Sequence, residues 1–103
     1  MVRNVNRKRG NKMPGVKQSG QAGTADKSDV LVTIEPREQG TGRHIVVRSP
    51  FRLEFGRHIT ETVEAVLNEQ DIDDVAVLVE DKGALEFALR ARCETALRRA
   101  LKE

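Results

Sequence analysis

The chain has no tryptophan and no tyrosine, and only three phenylalanines among 103 residues. That shortage counts against a surface for single-stranded nucleic acid, where aromatic rings stack on bases. Cysteine is nearly absent too. The lone Cys93 cannot close an internal disulfide, which fits a reducing compartment. No apolar run approaches the ~20 residues that cross a bilayer. The basic N-terminus is not followed by an apolar stretch, so it is no secretory signal, and the expectation is a cytoplasmic protein with no membrane partner. The two histidines, His44 and His58, have no cysteine or second histidine at ligand spacing, which argues against a metal site. Gly40-Thr41-Gly42 lacks the third glycine and the following helix of a dinucleotide fingerprint and reads as a turn.

What is present is charge, unevenly placed. The formal net charge is +2, yet Arg3, Arg7, Lys8, Arg9, Lys12 and Lys17 crowd the first 21 residues with no acid among them. The remainder carries more acids than bases. Residues 1–21 therefore read as a disordered basic extension, since apolar residues are too sparse there to offset ordering entropy. A nucleic-acid arm is the competing reading. It has no recognised binding motif beside it, so the extension is preferred.

Order is expected from Val30. Val30, Val32 and Ile34 share one face of a strand that Pro36 ends, and a second strand follows at 44–48, making a hairpin. Ser49-Pro50 opens a helix to about residue 69, with Leu53, Ile59, Val63, Val66 and Leu67 as its stripe. A third strand covers 75–80. The last helix runs from about Ala84 to Lys102, with Leu85, Ala88, Leu89, Cys93, Ala96, Leu97, Ala100 and Leu101 inward. The order β-β-α-β-α predicts an α+β two-layer sandwich, a three-stranded sheet with both helices on one face. Two units result: the extension at 1–21 and one domain at 22–103.

Few residues invite chemistry. His58 and Glu61 share a helix face with no third ligand and read as solvated. Cys93 falls on the apolar stripe, as an inert buried thiol would. Asp73-Asp74 and Glu80-Asp81 lie in turns without a convergent base or nucleophile, so no catalytic constellation emerges. The segment Thr24-Ala25-Asp26-Lys27-Ser28-Asp29 holds an accessible hydroxyl among charges before the first strand. It suits a modified serine, although such a segment, read from its residues alone, is usually only a linker.

Three strings carry a resemblance. Asp81-Lys82-Gly83-Ala84-Leu85-Glu86 continues through Leu89-Arg90-Ala91-Arg92, Phe55-Gly56 lies in the first helix, and Ala22-Gly23-Thr24 precedes Ser28-Asp29-Val30. In this order and spacing the chain resembles the acyl carrier (gamma subunit) family of citrate lyase over residues 22–101. The resemblance implies a non-catalytic carrier subunit with a CoA-like group, 2'-(5''-triphosphoribosyl)-3'-dephospho-CoA, attached through a phosphodiester to a serine. It implies as partners a transferase (alpha) subunit, a lyase (beta) subunit and the enzyme that installs the group. The family places its modified serine where this chain has Lys27, and Ser or Gly at the next position, where this chain has Ser28. Ser28 is the only hydroxyl between Thr24 and Thr33, so the attachment is expected there, one position along. The alternative is an unmodified carrier-like structural or regulatory subunit. Flanking Ser28, Asp26 and Asp29 are implied by the resemblance to serve recognition by the installing enzyme, against plain solvation, and Arg90 and Arg92 to attract cofactor phosphates or partner acids, against plain solvation.

Overall fold

The computed structural model describes residues 15–102. Its elements are β1 (Gly20–Gly23), β2 (Val30–Pro36), β3 (His44–Arg48), α1 (Arg52–Glu69), β4 (Val75–Asp81) and α2 (Glu86–Leu101). They build one four-stranded sheet in the order β1-β2-β4-β3, with α1 and α2 packed on one face. The α+β two-layer class holds, but the expected three-stranded sheet does not.

The fourth strand is β1, Gly-Gln-Ala-Gly, which has neither β-branched residues nor alternation to announce it. It pairs antiparallel with β2, Ala22 opposite Val32. The expected boundary between residues 21 and 22 falls inside this strand. Val16 is already part of the core, and the Lys17 and Gln18 N–H groups both donate to Ala100 O at 2.9 and 3.2 Å. Gln18 Nε2 donates to Arg99 O, and Arg99 Nη1 donates to Gln21 O. Chain read as disordered extension thus satisfies carbonyls that the end of α2 leaves without helical partners. The rest of that expected extension, residues 1–14, lies outside the described residues.

The expected hairpin is the second correction. β2 does not pair with β3. Both flank β4, β2 antiparallel with Ile34 opposite Val77, and β3 parallel with Val47 opposite Val79. The reason lies in β4, whose Val75, Val77 and Val79 are buried and take the sheet's interior. α1 supplies the crossover that a parallel pair needs.

The buried face carries Val30, Val32, Ile34, Val75, Val77 and Val79, and Val63, Val66 and Leu67 of α1 and Leu89, Cys93, Ala96 and Leu97 of α2 close over it. Two stripe residues stay outside this core: Leu53 is 92% exposed and Leu85 65%. Each sits in or before the first turn of its helix, beyond the reach of the sheet. The Ser49-Pro50 start signal lands just ahead of α1, where Ser49 Oγ accepts the Phe51 N–H at 2.9 Å and donates to Asp81 Oδ2 at 2.8 Å. Among the described residues no helix is long and apolar enough to cross a membrane.

Candidate functional site

The turn joining β1 to β2, residues 24–29, projects at one end of the sheet. Its geometry is set by Asp29. The Thr24 hydroxyl donates to Asp29 Oδ2 at 2.8 Å, the Val30 N–H donates to Oδ1 at 2.7 Å, and the Arg92 guanidinium from α2 pairs with the same carboxylate at 3.1 Å. Thr24 Oγ1 also accepts the Asp26 N–H at 3.2 Å, and the Asp29 N–H donates to Asp26 O at 3.0 Å. The far side is tied to the exit of β4: the Ser28 N–H donates to Lys82 O and the Lys82 N–H donates to Asp29 O, both at 2.9 Å.

Ser28 sits at the crest of this turn, exposed, with φ +66°. That conformation is uncommon for a residue with a Cβ. Among the described residues its hydroxyl has no hydrogen-bond partner. Lys27 and Lys82 beside it are exposed and form no ion pair among the described residues. The other nearby hydroxyls are engaged, Thr24 by Asp29 and Ser49 by Asp81. Asp29 is therefore a structural lock, a use beyond the recognition or solvation that the sequence left open. Its carboxyl is held below 3.8, first by the Thr24 hydroxyl, then by the Val30 N–H and Arg92, against an opposing effect of desolvation.

A pH dependence follows. A carboxyl with a lowered folded pKa binds fewer protons in the folded state, so its contribution is complete above the unfolded value and is lost as pH falls through the folded one. The amide signals of Ser28 and Val30 are expected to hold steady from neutrality to about pH 5 and to shift together below 3.8. Asp29→Asn should abolish that acid transition in an NMR pH titration.

Beside Ser28 the surface becomes apolar. A groove of about 530 Å3 runs between the start of α1 and the β4–α2 turn, lined by Phe51, Phe55, Ile59, Ala84, Leu85 and Leu89. Phe51 is 42% exposed and Phe55 55%, their rings edge to face with centroids 6.5 Å apart. A Cβ placed on Gly83 would lie 3.6 Å from Phe51 Cε2 and 4.0 Å from Ser28 Cα, so this one residue separates turn from groove. The β4–α2 turn is fixed by Asp81, whose Oδ1 accepts the Gly83 and Ala84 N–H groups at 3.0 and 3.1 Å. Sequence reading missed the groove because Phe51, Phe55 and Leu85 come from two segments that meet only in the fold. The exposed Phe residues at the helix starts were the available signal.

The other expected sites resolve plainly. His58 pairs with Glu86 across the helices at 3.2 Å, while Glu61 pairs with Arg57. His44 is exposed on β3. Arg90 is taken by Glu69 and Glu94, as Arg92 is by Asp29. No group of side chains among the described residues could hold a metal ion. Cys93 is fully buried and its thiol is pushed up to about 12, chiefly by desolvation. In the native protein at pH 8 it is expected to resist a disulfide reagent and to react only at the rate of unfolding, as absorbance of the released thiolate would report.

Comparison with known proteins agrees with this layout. A family model described as "Malonate decarboxylase delta subunit (MdcD)" matches residues 17–100. The citrate lyase acyl carrier protein of Serratia proteamaculans is 43% identical over 81% of this chain and 80% of its own length. Those of Fusobacterium nucleatum and Treponema denticola are 44% and 40% identical, each over 82% of this chain and over 89% and 94% of their own lengths. A crystal structure of a Thermus thermophilus protein superposes with a TM-score of 0.51 at 14% identity, over 88% of this chain but only 17% of the larger one, a likeness of fold alone. With the family model matching residues 17–100 and relatives above 40% identity covering about four fifths of the chain and at least four fifths of their own lengths, the chain belongs to the citrate lyase acyl carrier protein family.

Proposed function

We propose that the protein is the acyl carrier subunit of a citrate lyase-type complex, with its prosthetic group on Ser28. The observation that carries this reading is the free Ser28 hydroxyl, raised on a turn whose backbone is tied to β4 and whose base is clamped by Asp29 and Arg92. The site fits a phosphodiester. The hydroxyl is accessible, and two unpaired lysines are near, Lys27 next in sequence and Lys82 through the backbone bond to Ser28, to offset phosphate charge. Asp29, the acid next in sequence, is no base for the attack, because it is committed to Thr24, Val30 and Arg92. Deprotonation of Ser28 therefore belongs to the installing enzyme. Ser28 Oγ forms the new bond to phosphorus, its proton passes to that enzyme, and a triphosphate donor loses diphosphate.

The donor in question is 2'-(5''-triphosphoribosyl)-3'-dephospho-CoA; the part left on Ser28 after loss of diphosphate keeps one phosphate of the three, as the phosphodiester, and would supply a thiol that holds acetyl or citryl as a thioester. The carrier contributes attachment, reach and high local concentration. Transfer and cleavage belong to the alpha and beta subunits, in the cytoplasm. Intact mass after co-production with the installing enzyme tests this reading, with fragmentation to locate the adduct. A gain of the group on the peptide containing Ser28 is expected. A chain that remains at its unmodified mass overturns it.

A second reading, an unmodified carrier-like subunit, has one observation in its favour. Lys27 stands where the family carries its modified serine, and Ser28 has the positive φ that suits the family's Ser-or-Gly position. No mass gain, together with co-purification with alpha and beta subunits, would select it.

A further inference from the structure

We infer that the Phe51–Phe55–Leu85 groove is the resting berth of the arm carried on Ser28. This rests on the carrier reading and adds a place for the arm between partners. Three observations converge. The first is continuity: Gly83 alone separates Ser28 from Phe51, so a chain leaving the Ser28 hydroxyl meets the groove at once. The second is charge. Lys27 and Lys82 stand unpaired at the tether end, while the groove beyond is walled by Phe51, Phe55, Ile59, Ala84, Leu85 and Leu89. Lysines at the tether suit the anchoring phosphate, and the mainly apolar groove, edged by His58, Asp81 and Glu86, suits the uncharged pantetheine end folded back beyond the arm's diphosphate. The third is size and support. The groove's volume of about 530 Å3 falls within the roughly 300–1,000 Å3 usual for small-molecule pockets. Its floor is held in place by Asp81 through Ser49, Gly83 and Ala84.

A berth here has a chemical purpose. An acyl thioester in water hydrolyses and exchanges with other thiols. A docked arm withholds it from both until a partner subunit draws it out. The aromatic edges of Phe51 and Phe55 give the thioester end an apolar, polarisable wall. His58 and Glu86, also at the groove, pair with each other and form a polar rim.

The test uses the loaded chain, with intact mass read first. The arm's thiol is then alkylated with iodoacetamide under native conditions, and fragmentation separates it from Cys93. In the parent chain alkylation is expected to run roughly fivefold slower than for free coenzyme A in the same buffer, as when about four-fifths of the arms are docked. Phe55→Ser and Leu85→Ser, which change exposed side chains and leave the core intact, should restore the free rate. A parent rate equal to that of free coenzyme A overturns the berth and leaves the carrier reading standing. Absence of the mass gain in the parent overturns both. A dimer in sedimentation velocity that Phe55→Ser dissolves would assign the groove to a second copy and also overturn the berth.

Discussion

Ser28→Gly is expected to load no prosthetic group at all while making the folded protein slightly more stable. The two effects have separate causes. On the carrier reading the hydroxyl is the attachment atom, so its removal would leave nothing to esterify and the mass gain would fall to zero. The backbone at Ser28 sits at φ +66°, where a Cβ costs about 1 kcal/mol that glycine does not incur. A urea melt should therefore shift upward by several tenths of a molar, for an m-value of about 1–3 kcal/mol per molar. Ser28→Ala, which keeps the strain, should also fail to load with its midpoint nearly unchanged. This opposition of stability and loading excludes the trivial account in which a damaged fold cannot be modified. The double variant Lys27→Ser/Ser28→Gly returns the hydroxyl to the family position, about 3.8 Å along the chain, and is expected to load again. A Ser28→Gly protein that still gains the mass would move the attachment elsewhere.

Gly20→Ala should strongly destabilise the domain. A Cβ there would lie 2.1 Å from Ala96 O and 2.5 Å from Ala100 N, backbone atoms of α2 that cannot rotate aside. The helix must lift away from β1, which breaks the hydrogen bonds of Lys17 and Gln18 to Ala100 O and uncovers Val16 and Ala22. The cost is about 3 kcal/mol, at the upper end for overpacking, against a total of about 5–10 kcal/mol for a domain of this size. A loss of at least ~1 M in the urea midpoint is expected. Gly40→Ala serves as control. Gly40 has φ +87° but nothing within 4 Å of its Cβ position, so only backbone strain of about 1 kcal/mol applies. Equal midpoints for the two variants would mean that α2 does not press on β1 as described.

Sequence and structure agree where side chains declare themselves. The alternating β-branched residues of β2, β3 and β4 placed those strands within a residue or two, and Val63, Val66, Leu67, Leu89, Cys93 and Ala96 all took their expected buried positions. β1 escaped because its glycine is selected for what α2 requires above it, and no local propensity records a close approach by a helix so distant in sequence. The pairing of β2 with β4 escaped because connection length favours neighbours, whereas burial favours placing the most apolar strand in the middle. At the site, residues 24–29 were legible as an exposed polar segment ahead of β2, but not as a turn between two paired strands. Nor was the lock legible. Asp29 reads as a solvated acid until Arg92 arrives from the last helix, and the groove exists only once two distant helix starts lie side by side.

The clamp on the Ser28 turn joins residues far apart in sequence: Asp29 with Arg92, and Ser28 with Lys82. Contacts of such separation form late, after the loops between them have closed. A nascent chain that ends before α2 has the serine and the local bonds of its turn, but not the Arg92 clamp on Asp29. A chain cut before α2 would thus carry Ser28 on a looser turn, and the last helix is what makes its presentation firm.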